Sequence, residues 1–168
     1  MRFPRLGLLP FFLILICSPL LAQDQMTYAN LKTSKFAALP VLPACMTVSV
    51  LHGDPSKGPA VLAGKLKPGC KVPWHWHTAA ENLVVLSGSA KAEMKDGASH
   101  ALASGDYVYM PAKQAHQFTC LTACTIYVMP DAAFDIHYID KDGKEIPVEQ
   151  ALPSTVKTPP TKKPAAKP

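Results

Sequence analysis

GCKVPWHWHTAAENLVVLSG, residues 69–88, holds two histidines two positions apart and a glutamate four positions further on. In an extended strand, side chains at i and i+2 share a face. His75 and His77 therefore point one way, and Trp74 and Trp76 the other. Thr78, Ala79 and Ala80 supply a short turn, after which ENLVVLS folds back and brings Glu81 to the histidines' face. Two imidazoles and a carboxylate converging from adjacent strands make most of a site for a first-row divalent metal. The expected fourth ligand is His116, on the far side of the Asp96-Gly97 turn.

Outward from this stretch the chain reads as short strands separated by turns. MTVSVLH (46–52) precedes the turn cluster HGDPSKGP, and AVLAGKLK (60–67) leads through Lys67-Pro68-Gly69 into the histidine segment. After Gly88 comes SAKAEMK, and Asp96-Gly97 is a two-residue hairpin signal. A strand near Ser99–Leu102 turns at Ser104-Gly105-Asp106 into YVYM, and Pro111 opens the loop that presents His116. QFTC and CTIYVM read as a hairpin pair, and FDIHYI as the last strand. No segment has helical periodicity. Many short strands with frequent turns predict an all-β sandwich or small barrel.

The spacing Gly69-x5-His75-x-His77-x3-Glu81-x6-Gly88 resembles the first motif of the cupins at every marked position. The second cupin motif, G-x5-P-x-G-x2-H-x3-N, aligns with Gly105, Pro111, Lys113, His116 and Cys120. Lys113 replaces its glycine and Cys120 its asparagine. The likeness runs from about Leu42 to Asp140. It is nearest to small, single-domain, secreted bacterial cupins with a Gly53-Asp54-Pro55-like turn and a Phe134–Asp140-like end. The resemblance implies a double-stranded β-helix, the cupin jelly-roll barrel. It also implies one divalent first-row metal (manganese, iron, nickel, copper or zinc) held by His75, His77, Glu81 and His116. In the oxidative members the glutamate doubles as a base, so Glu81 takes the ligand-or-catalytic role. Cupins commonly dimerise through strand edges, which covers those edges, and a homodimer is expected on that basis.

The ends divide the chain further. Residues 1–22 have a basic start, an apolar stretch interrupted by Gly7, Pro10, Ser18 and Pro19, and Ala22 at a cleavage position. This reads as a signal peptide and implies a periplasmic or secreted protein with no membrane span after cleavage. Cys17 follows Ile16, which is too large for a lipoprotein signal. Residues 23–41 are an N-terminal arm that either lies over the barrel or pairs with a partner subunit. Residues 42–140 are the cupin domain and 141–151 an extension. Residues 152–168, rich in lysine, proline and alanine, lack the large apolar residues needed to fold and are expected to be a disordered tail.

The formal charge of +5 misleads. Six of the 17 basic residues (Arg2, Arg5, Lys157, Lys162, Lys163 and Lys167) lie in the ends, leaving 11 lysines against 12 acids, a net of −1. A basic nucleic-acid footprint is absent. Both arginines lie in the leader, so the mature chain has no planar fork for bidentate capture of carboxylate or phosphate. This counts against oxalate-decarboxylase-like and sugar-nucleotide-epimerase-like chemistry.

Lys113 at a glycine position is strained in a left-handed turn unless its loop takes another path. Otherwise it is a surface residue or reaches over the pocket mouth. Tyr107 and Tyr109 read as packing residues, Trp74 and Trp76 as outer-face or interface residues. His52, His100 and His137 read as ordinary surface or rim histidines. Cys45, Cys70, Cys120 and Cys124 allow three complete pairings. Sequence does not choose among them; Cys120–Cys124 across the hairpin is favoured, and Cys70 is a candidate partner for Cys45. A sharper alternative has Cys120 ligate the metal beside His116. The function expected is a metal-dependent oxidoreductase, dioxygenase-type, on a small organic molecule. The alternative is a non-catalytic metal- or small-ligand-binding module. A metal-free isomerase is the weakest reading, since the full ligand set is present.

Overall fold

The structure is a computed structural model, and it describes residues 26–152. The expected leader (1–22) and most of the expected tail (153–168) lie outside the described residues.

Ten strands and one short helix follow the chain: β1 Met46–Gly53, β2 Ala60–Leu66, β3 Lys71–Trp76, β4 Glu81–Ser87, β5 Ser89–Met94, β6 Ser99–Ala103, β7 Tyr107–Met110, β8 His116–Cys120, β9 Cys124–Pro130, β10 His137–Tyr138 and α1 Val148–Ala151. They form two five-stranded sheets, β1-β2-β9-β4-β7 and β10-β3-β8-β5-β6, with antiparallel pairing throughout. This is the double-stranded β-helix the motifs predict. Burial alternates along β4 and β9 with the period of two that a half-buried strand requires. Leu83 and Val85 of β4 and Ile126 and Val128 of β9 face Ala90, Ala92 and Phe118 of the other sheet in one core. Burying a side chain of this kind contributes about 1.5–3 kcal/mol.

Three expectations are corrected. β3 and β4 lie in different sheets, so Glu81 meets the histidines across the barrel, not from an adjacent strand. β8 and β9 are not a hairpin either: β8 pairs with β3 and β5, β9 with β2 and β4. Only His137–Tyr138 of FDIHYI is a strand, and the chain before it is irregular. The Asp96-Gly97 turn does join paired strands, β5 and β6.

The arm lies over the barrel. Ala37 bridges to Val48 of β1, Lys65 Nζ sits 4.0 Å above the Phe36 ring, and Tyr138 Oη donates to the Val41 carbonyl at 2.8 Å.

Disulfides join Cys45 to Cys70 and Cys120 to Cys124. The second clips a sheet-to-sheet corner. Cross-links stabilise mainly by restricting the unfolded chain, more so for longer loops. With separations of 25 and 4 residues, replacing Cys45 and Cys70 by alanine is expected to cost about 3 kcal/mol, and replacing Cys120 and Cys124 about 2 kcal/mol. Urea unfolding midpoints of the two double variants check this order.

Candidate metal centre

The position of His75 depends on a local irregularity. The register between β3 and β8 shifts between Val72 and His75, where Pro73 stands. Three residues apart in a regular strand, Val72 and His75 would face opposite ways; the bulge turns both inward. Proline is tolerated there because a bulge frees it from donating to the ladder. The Pro73 carbonyl then accepts the Nδ1 hydrogen of His75 at 2.6 Å. His116 opens β8 directly opposite His75, and its Nδ1 donates to the Gln114 carbonyl at 2.9 Å. His77 follows β3, and its Nδ1 donates to the carbonyl of Asp135. Glu81, first residue of β4, comes from the facing sheet. All four side chains are buried.

A carbonyl oxygen only accepts, so each Nδ1 carries the proton. Each Nε2 is left as a lone pair. The ring centroids of His75 lie 4.8 Å from His77 and 4.3 Å from His116. The Nε2 atoms of His77 and His116 lie 3.0 and 3.5 Å from Glu81 Oε2. His116 Nε2 has no hydrogen-bond partner. One potential ligand atom from each of the four residues lies within 4.8 Å of the others. Lone pairs facing a carboxylate in a buried space repel unless a cation lies among them. The cluster therefore suits a metal ion, and the carbonyls that fix the imidazole tautomers are the supports such a site needs. Burial, with His116 and His77 beside it, holds the His75 pKa well below its ordinary value, which keeps it in the neutral, ligating form.

Asp135 supports the site in a way the sequence does not disclose. Besides its carbonyl on His77, its carboxylate accepts from Thr78 N (2.7 Å), Thr78 Oγ1 (2.6 Å) and His137 Nε2 (3.1 Å). Partial burial pulls its pKa up, yet these bonds from Thr78 and His137 bring it down to about 2. His137 is thus no ordinary rim residue: it also stacks on Trp76 at 3.9 Å and contacts Glu145 Oε1 at 2.9 Å. His52 and His100 are exposed, as expected.

Cys120 is in a disulfide and outside the cluster, so it is not a thiolate ligand. Tyr107 and Tyr109 are exposed on the edge strand β7 and do not pack in the core. Trp74 and Trp76 do not line the cavity beside the cluster. Lys113 is exposed, and its φ of 61° retains the left-handed turn. The turn is kept because Lys113 N donates to the His77 carbonyl at 2.8 Å, which ties the β7–β8 loop to the site. A left-handed conformation costs a side-chain-bearing residue about 1–2 kcal/mol, partly offset by glycine's larger unfolded-state entropy. Lys113→Gly is therefore expected to raise stability by up to about 1 kcal/mol, read from urea unfolding.

The cluster opens into a cavity of about 440 Å³ whose remaining walls, apart from Asp135, are apolar. Among the described residues no helix is long and apolar enough to cross a membrane.

Residues 64–130 match the family model described as cupin domain. Solved structures share the fold. An RmlC-like cupin from Shewanella frigidimarina is 14% identical, with a TM-score of 0.56 over 71% of this chain and 97% of its own. The polyketide cyclase RemF from Streptomyces resistomycificus is 18% identical, with a TM-score of 0.60 over 76% of this chain and 99% of its own. KdgF from a Halomonas species is 15% identical, with a TM-score of 0.51 over 61% of this chain and 92% of its own. No curated protein sequence matches the chain.

Proposed function

We propose that this chain, whose residues 64–130 match the cupin-domain model and whose barrel closes around three histidines and a glutamate, is a metal-dependent cupin oxidoreductase of dioxygenase type, acting on a small organic molecule. The observation that carries this is the set of three Nδ1 hydrogens tied to backbone carbonyls, which leaves the Nε2 lone pairs around a buried carboxylate. Three imidazole nitrogens and one carboxylate oxygen suit manganese, iron, nickel, copper or zinc better than magnesium or calcium. A redox-active ion of that group supplies one-electron chemistry and Lewis acidity. The chain's own residues do the rest. His75, His77 and His116 hold the ion, and Glu81 either ligates or takes a proton at Oε2 from a bound substrate. The apolar walls exclude water and admit dioxygen, itself an apolar molecule.

The second reading is a binding module without turnover. It is favoured by the absence, among the described residues, of any further acid or base free to act in the cavity: Asp135 is already bonded to Thr78 and His137. Oxygen-electrode measurements on metal-loaded protein with a panel of small catechols, thiols and diketones separate the two. Consumption that requires both metal and substrate supports the oxidoreductase. Stoichiometric metal with no consumption across the panel supports the binding module.

Export to the periplasm or beyond belongs to the same proposal. It is supported by the basic-then-apolar start of the sequence and by two disulfides, which persist in oxidising compartments. So does the homodimer, for which β7 and β6 offer an edge of each sheet. Light scattering on the full chain is expected to give twice the monomer mass; a monomer at every concentration ends that part.

A further inference from the structure

The walls of the cavity specify a ligand class more narrowly than the metal does. Five polar residues line it: His75, His77, Glu81, His116 and Asp135. Each imidazole Nδ1 is committed to a carbonyl, and the Asp135 carboxylate is committed to Thr78 and His137. The polar surface left for a ligand is a single point, where the Nε2 atoms meet Glu81. Every other lining residue is aliphatic, aromatic, methionine, proline or glycine. Among the described residues no lysine, arginine, serine, threonine, asparagine, glutamine or tyrosine lines the cavity. A second charged or hydroxyl-rich end of a ligand would be buried there without a partner, which is strongly unfavourable. The volume, about 440 Å³, is in the lower part of the range for small-molecule sites (roughly 300–1,000 Å³).

The arm completes this wall. Leu39 and Val41 line the cavity yet remain half-exposed, which places them at its mouth. The arm's bonds to β1 and Tyr138 hold them there.

We propose that the cavity binds a small apolar molecule with one electron-pair-donating head, an oxygen or sulfur donor, directed at the cluster. Its tail lies against aliphatic walls, with Leu39 and Val41 setting the tail accepted. The head assignment rests on the metal reading; the tail assignment rests on the walls alone. Dicarboxylates, phosphorylated molecules and free sugars are excluded as ligands of this cavity.

Calorimetric titration of the full chain loaded with zinc, which is redox-inert and so gives no turnover, tests this. The probes are acetohydroxamic, butanohydroxamic, hexanohydroxamic and octanohydroxamic acids, with suberic acid monohydroxamate, whose tail ends in a carboxylate. Each added methylene is expected to tighten Kd about fourfold until the cavity is full. The carboxylate-ended probe is expected to bind at least about tenfold more weakly than octanohydroxamic acid. Val41→Asp, at an exposed position whose backbone bond to Tyr138 survives the change, is expected to weaken the longer probes and leave zinc content unchanged. Zinc uptake with affinity independent of tail length, or an equally tight carboxylate-ended probe, overturns the inference and leaves the metal centre standing. Wild-type binding by Val41→Asp overturns the role of the arm. The same tail lengths tested as 1-butanol, 1-hexanol and 1-octanol on metal-free protein isolate the walls. A chain-length dependence there without any zinc uptake supports the apolar tail and overturns the metal-directed head.

Discussion

Replacing His75 and His77 together by alanine is expected to abolish metal binding while leaving the barrel folded. Elemental mass spectrometry of the purified protein should find near-stoichiometric manganese, iron, nickel, copper or zinc in the wild type and none in the double variant. Supports around a metal site alone are worth about 10–100-fold in affinity, so the loss on removing two of four candidate ligands is expected to exceed that range. The fold survives because both histidines sit at the end of β3, where they make no ladder bond through their side chains. What the variant loses is packing and two hydrogen bonds to the carbonyls of Pro73 and Asp135. Circular dichroism on the same samples separates lost ligands from lost structure. An unchanged metal content in the variant would move the site elsewhere. No metal in either protein, and no uptake on adding each ion, would end the metalloprotein reading. The barrel would then be a plain ligand cavity.

Most of this site is legible in the sequence because three of its four candidate ligands fall in a short, patterned stretch. His75-x-His77 with Glu81 is a local statement about faces, and His116 follows from the turn and proline that precede it. The fold is legible for the same reason: period-two burial and turn residues are written residue by residue. What stays hidden depends on contacts between distant segments. Asp135 reaches His77 across 58 positions, and nothing in FDIHYI distinguishes its aspartate from a surface acid. The arm's place over the barrel depends on Val48, Lys65 and Tyr138, all far along the chain. Strand pairing departs from expectation at two of the seven places where the chain changes sheet, after β3 and after β8, because a short loop between two strands usually makes a hairpin. The bulge at Pro73 shows the converse. Strict alternation would put Val72 and His75 on opposite faces, and a proline that cannot donate to the ladder marks where alternation fails.

Gly88→Ala is expected to destabilise the protein by about 3 kcal/mol or more, well beyond Gly69→Ala at the other end of the same motif. Both glycines have positive φ, +87° and +72°, so alanine at either suffers the left-handed penalty of about 1–2 kcal/mol. Only Gly88 is also crowded. A Cβ there would stand 2.2 Å from the Ala123 carbonyl oxygen, whereas at Gly69 nothing lies within 4 Å. The reason is architectural. β4 belongs to one sheet and β5 to the other, and Gly88 is the single residue between them. Residues 121–123 make the reverse crossing, from β8 to β9, and the two corners are bonded together. Ser89 N donates to Thr122 Oγ1 at 2.9 Å, and Leu121 N donates to the Ser89 carbonyl at 2.8 Å. A methyl group at Gly88 therefore pushes against backbone that the Cys120–Cys124 bridge and these bonds hold in place. Urea unfolding of the two variants measures the difference directly. Equal losses would mean that the left-handed conformation alone accounts for Gly88, and that the two corners yield where this geometry says they cannot. A much larger loss at Gly88 would mean that the motif glycine sets the spacing between the sheets, and with it the gap across which Glu81 meets the three histidines.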